Sequence, residues 1–429
     1  MNLSGTKKAP SAKVVLPHYA FGALSFFVLS LLILFFSDAF EGHYFNPHLL
    51  SITHVAALGW ISMVIFGALY QLIPVIMLAE LFSEKLAQIT FWLFASGISL
   101  LCYSFADFNT GIIMQIAAIL VLLAVLLFAS NVFFTARKSD EKNLESEFIT
   151  ASVFWLVVTV ILGTLLVFNF SFPFLTAGHL HFLKIHSHVG FAGWFILLIM
   201  GVGSKLIPMF LLSSPVQTKK LKIAYYALNL SLLAFFSDAL IFQTTTRALI
   251  YFIVALIGII SFILFIRQAF ISRARRILDT GMKHSILSFL FLIIPVVSGI
   301  ILHGGFLSSE NSILTITIVY GVSIIFGFIT LLVLGQTFKT LPFIVWLHKY
   351  KSGNSGQRQI LPKDMYSEKM LKIQLYLFIV AYFTLQAGIL TRNFYLLKVG
   401  GGLFTITAFM YAFNVFKVLF HSIKNIPNG

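Results

Sequence analysis

One long apolar segment near the middle of the chain begins with four histidines, at positions His179, His181, His186 and His188. The apolar run that follows them continues to Pro208. Because an imidazole is costly to bury in hydrocarbon, a histidine cluster at the mouth of such a segment is by default a functional site. Imidazole nitrogen is a common ligand of iron, copper and zinc. The cluster therefore predicts a metal or haem site and leaves the substrate open.

The composition places these histidines in a membrane. Of the 429 residues, 59% are hydrophobic and only 10% are charged, whereas charged residues make up about a quarter of a soluble protein. Runs of roughly twenty apolar residues recur, each long enough to cross a hydrocarbon core of about 30 Å. The sequence predicts an all-α polytopic membrane protein embedded in a lipid bilayer. Its twelve predicted spans are 16–38, 49–78, 86–107, 111–136, 148–171, 183–212, 221–243, 246–270, 283–304, 313–346, 369–391 and 394–420.

The basic residues indicate an orientation. With a cytoplasmic N-terminus, 23 of the 29 Lys and Arg residues fall on the inner side, as the positive-inside rule requires. The charge of +15 is therefore interpreted as a topology signal, and no nucleic-acid partner is expected. We expect a bacterial-type inner (plasma) membrane, cytoplasmic N- and C-termini, and a first span that is not a removable signal peptide. This orientation places loops 273–283 and 352–364 inside, and loops 42–47 and 308–312 outside.

A motif recurs at an interval of 134 residues. It reads His54-Val-x-x-x-Gly-Trp in span two and His188-Val-x-x-x-Gly-Trp in span six, and the third copy has Val322 at the histidine position. Conserved spacing extends to later helices, because Ala-x-Asn-Val-Phe occurs around both Asn131 and Asn414. The interval predicts three parallel four-helix repeats, arranged as arcs with pseudo-threefold symmetry. Within one membrane domain, 1–429, the repeats cover approximately 14–147, 148–281 and 282–429.

The depth of the repeated histidines suggests a cofactor. His54 precedes Pro74 by twenty residues, which is about 30 Å of helix, so both motif histidines are expected near the external face. Two such imidazoles on repeat-related helices could hold one haem iron between them. The alternative is that they bond neighbouring helix carbonyls. His186 and His188 are about 200° apart around a helix and would serve two centres.

The remaining histidines lie on one or the other predicted side of the membrane. His303 lies on the predicted external side, and the histidines on the predicted inner side are assigned no site; these are His18, His284, His348 and His421. Cys102 is the only cysteine, so an internal disulfide and a thiolate metal cluster are excluded. A metal would have to use histidine, methionine or carboxylate ligands.

Span six carries His186-x-His188-x-Gly190-x-x-Gly193-Trp194. This pattern resembles the haem-ligating helix of the haem–copper oxidase catalytic subunit (subunit I), especially in C-type cytochrome c oxidases and nitric oxide reductases. The motif of span two resembles a second version of it, and twelve helices in three arcs is also that family's architecture. The resemblance covers essentially the whole chain.

The resemblance implies haem b as a cofactor, with His188 on a low-spin haem, His186 on a high-spin haem and His54 as the opposing axial ligand. The family carries its His-x-His pair on the tenth helix, where this chain has Val322, and takes copper ligands from the seventh, which has no histidine here. A family-type copper site is therefore expected to be incomplete. His179, His181 and His303 are predicted to form a metal site by another route, for a second haem or copper.

Three functions remain open. The first is a redox haem protein in respiratory electron transfer or in oxygen or nitric oxide handling. The chain has no cytochrome c attachment motif and no soluble copper domain, so a quinol or an electron-donating partner subunit would supply the electrons. The second is non-catalytic sensing, delivery or transport of haem or copper. The third is a transporter whose histidines bind an anion or proton. Catalytic residues and turnover are left open.

Overall fold

The computed structural model describes residues 9–139, 142–243, 247–350 and 360–422. Twelve helices in these described ranges are long and apolar enough to cross a membrane, and every predicted span boundary lies within four residues of a helix end. The prediction of an all-α polytopic membrane protein is confirmed. The predicted inner loop 352–364 lies largely outside the described residues. The helices are α1 Ala12–Phe35, α2 Pro47–Met77, α3 Glu84–Ala106, α4 Ile112–Arg137, α5 Leu144–Ser171, α6 His179–Leu211, α7 Lys219–Phe242, α8 Ala248–Ile271, α9 Thr280–His303, α10 Glu310–Lys349, α11 Glu368–Thr391 and α12 Phe394–Leu419.

The chain divides into two compact units. The first unit consists of Met1–Ala9, Leu72–Leu278 and Gly299–Phe306, and the second of Pro10–Gln71, Asp279–Ser298 and Leu307–Gly429. Helices α3 to α8 belong to the first unit, whereas α1, α10, α11 and α12 belong to the second. Helices α2 and α9 contribute residues to both.

Three of the helices contain an eight-residue π-helical segment at equivalent positions. These segments are Val55–Ser62 in α2, Val189–Ile196 in α6 and Ser323–Thr330 in α10. Their first residues are 134 apart, which is the interval of the sequence motif. Because π-helix is rare and occurs mostly as short segments at functional sites, its threefold recurrence shows that the backbone repeats together with the sequence. His54, His188 and Val322 are the residues that directly precede the segments.

A glycine eight residues after each conserved motif glycine allows the first helix of each repeat to approach closely. A Cβ placed on Gly67 would lie 2.7 Å from the Cβ of its neighbour, and one on Gly201 would lie 2.5 Å away. Real Cβ atoms do not approach this closely, so a side chain at these positions would force the helices apart. The pairs are Gly67 with His18, Gly201 with Phe148, and Gly335 with His284.

The repeated asparagines join neighbouring helices in the same way. Asn131 accepts from the backbone N–H of Ser83 at 3.1 Å and donates to its carbonyl at 2.8 Å. Asn414 makes the same two bonds with Ser367, at 2.8 and 3.1 Å. Each serine caps the N-terminus of the preceding helix, α3 or α11. The asparagine therefore satisfies backbone groups at a partly buried helix start, which explains its recurrence.

In the second unit, α10 carries a column of hydroxyl side chains that pair with aromatic residues. We call these contacts the hydroxyl column: Ser323–Tyr382 at 3.1 Å, Thr330–Trp60 at 3.2 Å, Thr337–Tyr411 at 3.0 Å and Thr340–Tyr19 at 2.9 Å. Trp60 also stacks on Phe26 at 4.5 Å and meets Tyr411 edge-on at 4.9 Å. The part of α10 that follows Val322 is thus covered by aromatic side chains that hydrogen-bond to its hydroxyl groups.

Candidate functional site

His54 and His188 share one side-chain geometry. The Nδ1 atom of His54 lies 2.8 Å from the carbonyl oxygen of Leu50, and that of His188 lies 2.8 Å from the carbonyl oxygen of Lys184. Since a carbonyl only accepts, Nδ1 carries the proton and the lone pair of the neutral ring is on Nε2. Metal-binding histidines commonly show this arrangement, because the second bond fixes both the tautomer and the ring orientation.

His186 contacts a different helix from His188. Its Nδ1 lies 2.9 Å from the carbonyl oxygen of Thr159 on α5. The ring fits against Gly163, where an added Cβ would come within 2.9 Å of the imidazole Cε1. The ring of His188 instead lies 5.6 Å from that of Phe235 on α7. The two histidines therefore have separate surroundings.

Within the first unit, the ring of His188 lies beside that of His303. The two ring centroids are 6.0 Å apart and the planes are inclined at 59°. His303 is the last residue of α9 and is followed by Gly304 and by Gly305, whose φ of +72° turns the chain out of the helix. Phe252 of α8 lies 5.6 Å from the His303 ring. Both imidazoles are partly exposed at their helix positions.

His179 and His181 make other contacts. The His179 ring stacks on Phe170 at 4.3 Å, and its Nδ1 lies 3.4 Å from the amide nitrogen of Asn169. The Nε2 of His181 lies 3.0 Å from the carbonyl oxygen of Ala239. Over the ranges that the structure describes, no three His, Cys, Asp or Glu side chains form a group that could hold a metal ion. The contact between His188 and His303 is therefore a two-imidazole arrangement.

The predicted pairing of His54 with His188 concerns residues of different units. His54 belongs to the second unit and His188 to the first. Their sharing of one iron stays a prediction from the sequence repeat.

His284 lies on the predicted inner side of the membrane, where no site is expected, and its surroundings can be compared with those of His54 and His188. Its Nδ1 also lies 2.8 Å from the carbonyl one turn earlier, that of Thr280. Yet the side chain is fully buried and packs against Gly335. A carbonyl bond at Nδ1 is thus also compatible with a packing role, and ligand candidates need partly exposed positions as well. Neither the π-helical segments nor the approach of His303 to His188 could be predicted from local sequence patterns.

Comparisons with known proteins show the fold. No protein-family model matches the chain, and no curated protein matches it. Among solved structures, the chain is similar to a haem–copper terminal oxidase dimer determined by cryo-EM, with a TM-score of 0.65 and 10% sequence identity. The likeness covers 96% of this chain and 85% of that one. The chain therefore has a fold like that of the haem–copper oxidase catalytic subunit, as the motif of span six predicted.

Proposed function

We propose that the protein is an integral membrane haem protein with a redox role, in which His54 and His188 are iron ligands. The observation that supports this most directly is their shared geometry. Each imidazole places Nδ1 on the carbonyl one turn earlier, and each directly precedes a π-helical segment. His186, whose Nδ1 is held by Thr159, is the proposed ligand of a second centre.

The side chains suit haem b. Bound haem would supply an iron that changes between the ferrous and ferric states. The carbonyls of Leu50 and Lys184 orient the imidazoles and make Nε2 a better donor. The ring of Phe235 lies 5.6 Å from that of His188 and provides an apolar surface beside it. The residues that are present therefore fit an iron ligated by imidazole.

The same proposal includes the membrane in which the protein lies and the source of its electrons. The apolar helices require a lipid bilayer, which we take to be a bacterial-type inner membrane with both termini in the cytoplasm. The terminal oxidase with the similar fold was solved as a dimer. A quinol or a partner subunit is proposed as the source of electrons.

The test is a reduced-minus-oxidised absorption spectrum of the full-length protein purified in detergent. We expect Soret and α bands of a low-spin b-type haem. His54→Ala and His188→Ala should each abolish this spectrum or convert it to high spin, because each removes an iron bond. His348→Ala is the matched control, since this histidine is exposed near the end of α10. Haem-free protein from cells supplied with haem would refute the proposal.

The second candidate is haem or copper sensing, delivery or transport without turnover. It is supported by the partial exposure of His54, His188 and His303, because an accessible ligand favours exchange of the bound group. Two assays separate the candidates. Oxidation of a quinol analogue by the haem-loaded protein supports the redox role. Rapid transfer of haem to a haem-scavenging apoprotein, without quinol oxidation, supports delivery.

A further inference from the structure

We propose that His188 and His303 are the two imidazole ligands of one metal centre in the first unit. This rests on the proposed function in taking His188 as a ligand, and it places His303 where the sequence repeat would place His54. It assigns to His303 a specific role, opposite His188, that neither the sequence repeat nor the resemblance indicated. The carrying observation is the 6.0 Å separation of the two ring centroids.

The separation matches that of two imidazoles on one ion. A metal–nitrogen bond of about 2.1 Å, with about 1.1 Å from the nitrogen to the ring centre, places each centroid roughly 3.2 Å from the metal. Two ligands on opposite sides would then have centroids about 6.4 Å apart. The observed separation of 6.0 Å is close to this value. An edge-to-face packing contact is the competing explanation, and it predicts no bound metal.

The surroundings favour a cation ligated by nitrogen. His188 holds its Nδ1 proton on the carbonyl of Lys184, so its lone pair is on Nε2. His303 ends α9, and the negative end of the helix dipole favours a positive charge there. The rings of Phe235 and Phe252 lie 5.6 Å from His188 and His303, respectively, and limit hydration. The exposed side chain of Lys184 opposes a divalent ion more than a monovalent one.

The number of protein ligands limits which metals this site could bind. Within the described residues, no third His, Cys, Asp or Glu completes a group with this pair. Zinc usually takes four ligands, so a two-imidazole site suits it poorly. Haem iron obtains its remaining nitrogens from the porphyrin, and Cu(I) is stable with two nitrogen ligands. The shared chemistry is therefore an ion whose protein ligands are two imidazoles.

This assignment competes with the pairing that the sequence repeat predicts. A haem iron that His188 holds would take one further imidazole from the protein. His303 and His54 cannot both supply it. Replacing each one separately therefore distinguishes the two pairings.

The experiment uses the full-length protein in detergent, with variants His303→Ala, His303→Gln, His188→Ala and His54→Ala. His43→Ala is the control, because this exposed histidine lies in a loop on the same predicted side of the membrane. Elution as a single species on size-exclusion chromatography confirms folding of each variant. Low-spin haem is followed by electron paramagnetic resonance, and bound copper by elemental analysis after titration with Cu(I).

We expect His303→Ala and His303→Gln to lose the same metal signal as His188→Ala, whereas His43→Ala and His54→Ala retain it. Added imidazole should restore the signal in His303→Ala. Conversion of low-spin to high-spin haem identifies the metal as iron, and loss of one copper per chain with an unchanged haem spectrum identifies it as copper. Haem and copper that are unchanged in both His303 variants would overturn the inference while leaving the proposed function intact. Absence of both metals from the unmodified protein would overturn both.

Discussion

Helices α6 and α10 contain the same backbone feature with different side chains. The π-helical segment of α6 follows His188, a partly exposed residue that faces His303. The segment of α10 follows Val322, which is only 5% exposed. In the part of α10 that follows Val322, the hydroxyl column joins the helix to aromatic side chains by hydrogen bonds. A π segment therefore follows a partly exposed histidine in α6 and a buried valine in α10, so the segment alone does not indicate a metal or haem site.

The largest loss of stability should come from substitution of the glycines at which both helices contact a neighbouring helix. We expect Gly335→Ala to destabilise the protein by about 3 kcal/mol, because the added Cβ would meet the Cβ of His284 and lie 2.7 Å from the carbonyl oxygen of Gly281. Gly201→Ala on α6 should lower the stability by a similar amount. Thermal unfolding in detergent measures the loss. The control is Gly321→Ala, where an added Cβ meets nothing within 4 Å; equal behaviour of Gly321→Ala and Gly335→Ala would contradict the prediction.

The next effect concerns the missing histidine of α10. Val322→His should cost about 2 kcal/mol, because it buries an imidazole where a valine is only 5% exposed. The amount of haem per chain should not rise. Val322→Leu controls for side-chain size. A new low-spin signal in Val322→His would show that α10 still offers a ligand position, and the contrast with α6 would then fail.

A smaller effect is expected within the hydroxyl column. Thr337 donates to the carbonyl of Val333 at 2.8 Å, so Tyr411 must be the donor in their 3.0 Å contact. Thr337→Val and Tyr411→Phe should each cost about 1 kcal/mol. Their double variant should cost clearly less than the sum. Strict additivity in unfolding measurements would mean that the two hydroxyls do not act as a pair.

The smallest effect should be a pH dependence at the end of α10. The hydroxyl of Tyr350 lies 2.8 Å from Nδ1 of His421, and burial, together with Lys349 and Lys417, lowers the pKa of His421, whereas Asp364 opposes this shift. Since the folded pKa lies below the unfolded value of about 6.5, the stabilisation is present above that pH. It is lost as the pH falls through the folded pKa, because the unfolded chain then binds the extra proton.

Hydrogen exchange in the last turn of α12 measures this local stability. Protection should weaken as the pH is lowered from 7 to 5, after correction for the intrinsic exchange rate. His421→Gln should remove the dependence, because it removes the titrating group. The same dependence in His421→Gln would assign the effect to another residue.

Much of the fold could be predicted from the sequence. Long apolar runs separated by polar loops are a strong signal, and they located all twelve helices. The interval of 134 residues also anticipated equivalent helices. The paired bonds of Asn131 and Asn414 give a physical reason for one part of that repeat. The spacing of the motifs therefore predicted equivalent helix positions where the same local packing occurs more than once.

The side-chain contacts could not be predicted in the same way. His303 is 115 residues from His188 in the sequence, and no periodic pattern connects them. Lys339 forms an ion pair with Asp279 at 2.5 Å, although nothing in its apolar span indicates a partner. The Nδ1 atom of His186 lies 2.9 Å from the carbonyl oxygen of Thr159, which is on another helix. These features arise from tertiary contacts, which a single sequence does not encode in local spacing.

The recurrence of the π-helical segments has a geometric consequence. A π turn bonds each residue to the one five positions away, whereas an α-helix bonds residues that are four positions apart. The side chains after a segment are therefore rotated around the helix axis relative to those of an uninterrupted α-helix. All three segments begin at the same point of the 134-residue interval. The rotation thus occurs at the same place in α2, α6 and α10, so the residues on either side of it keep matching relative orientations in the three helices.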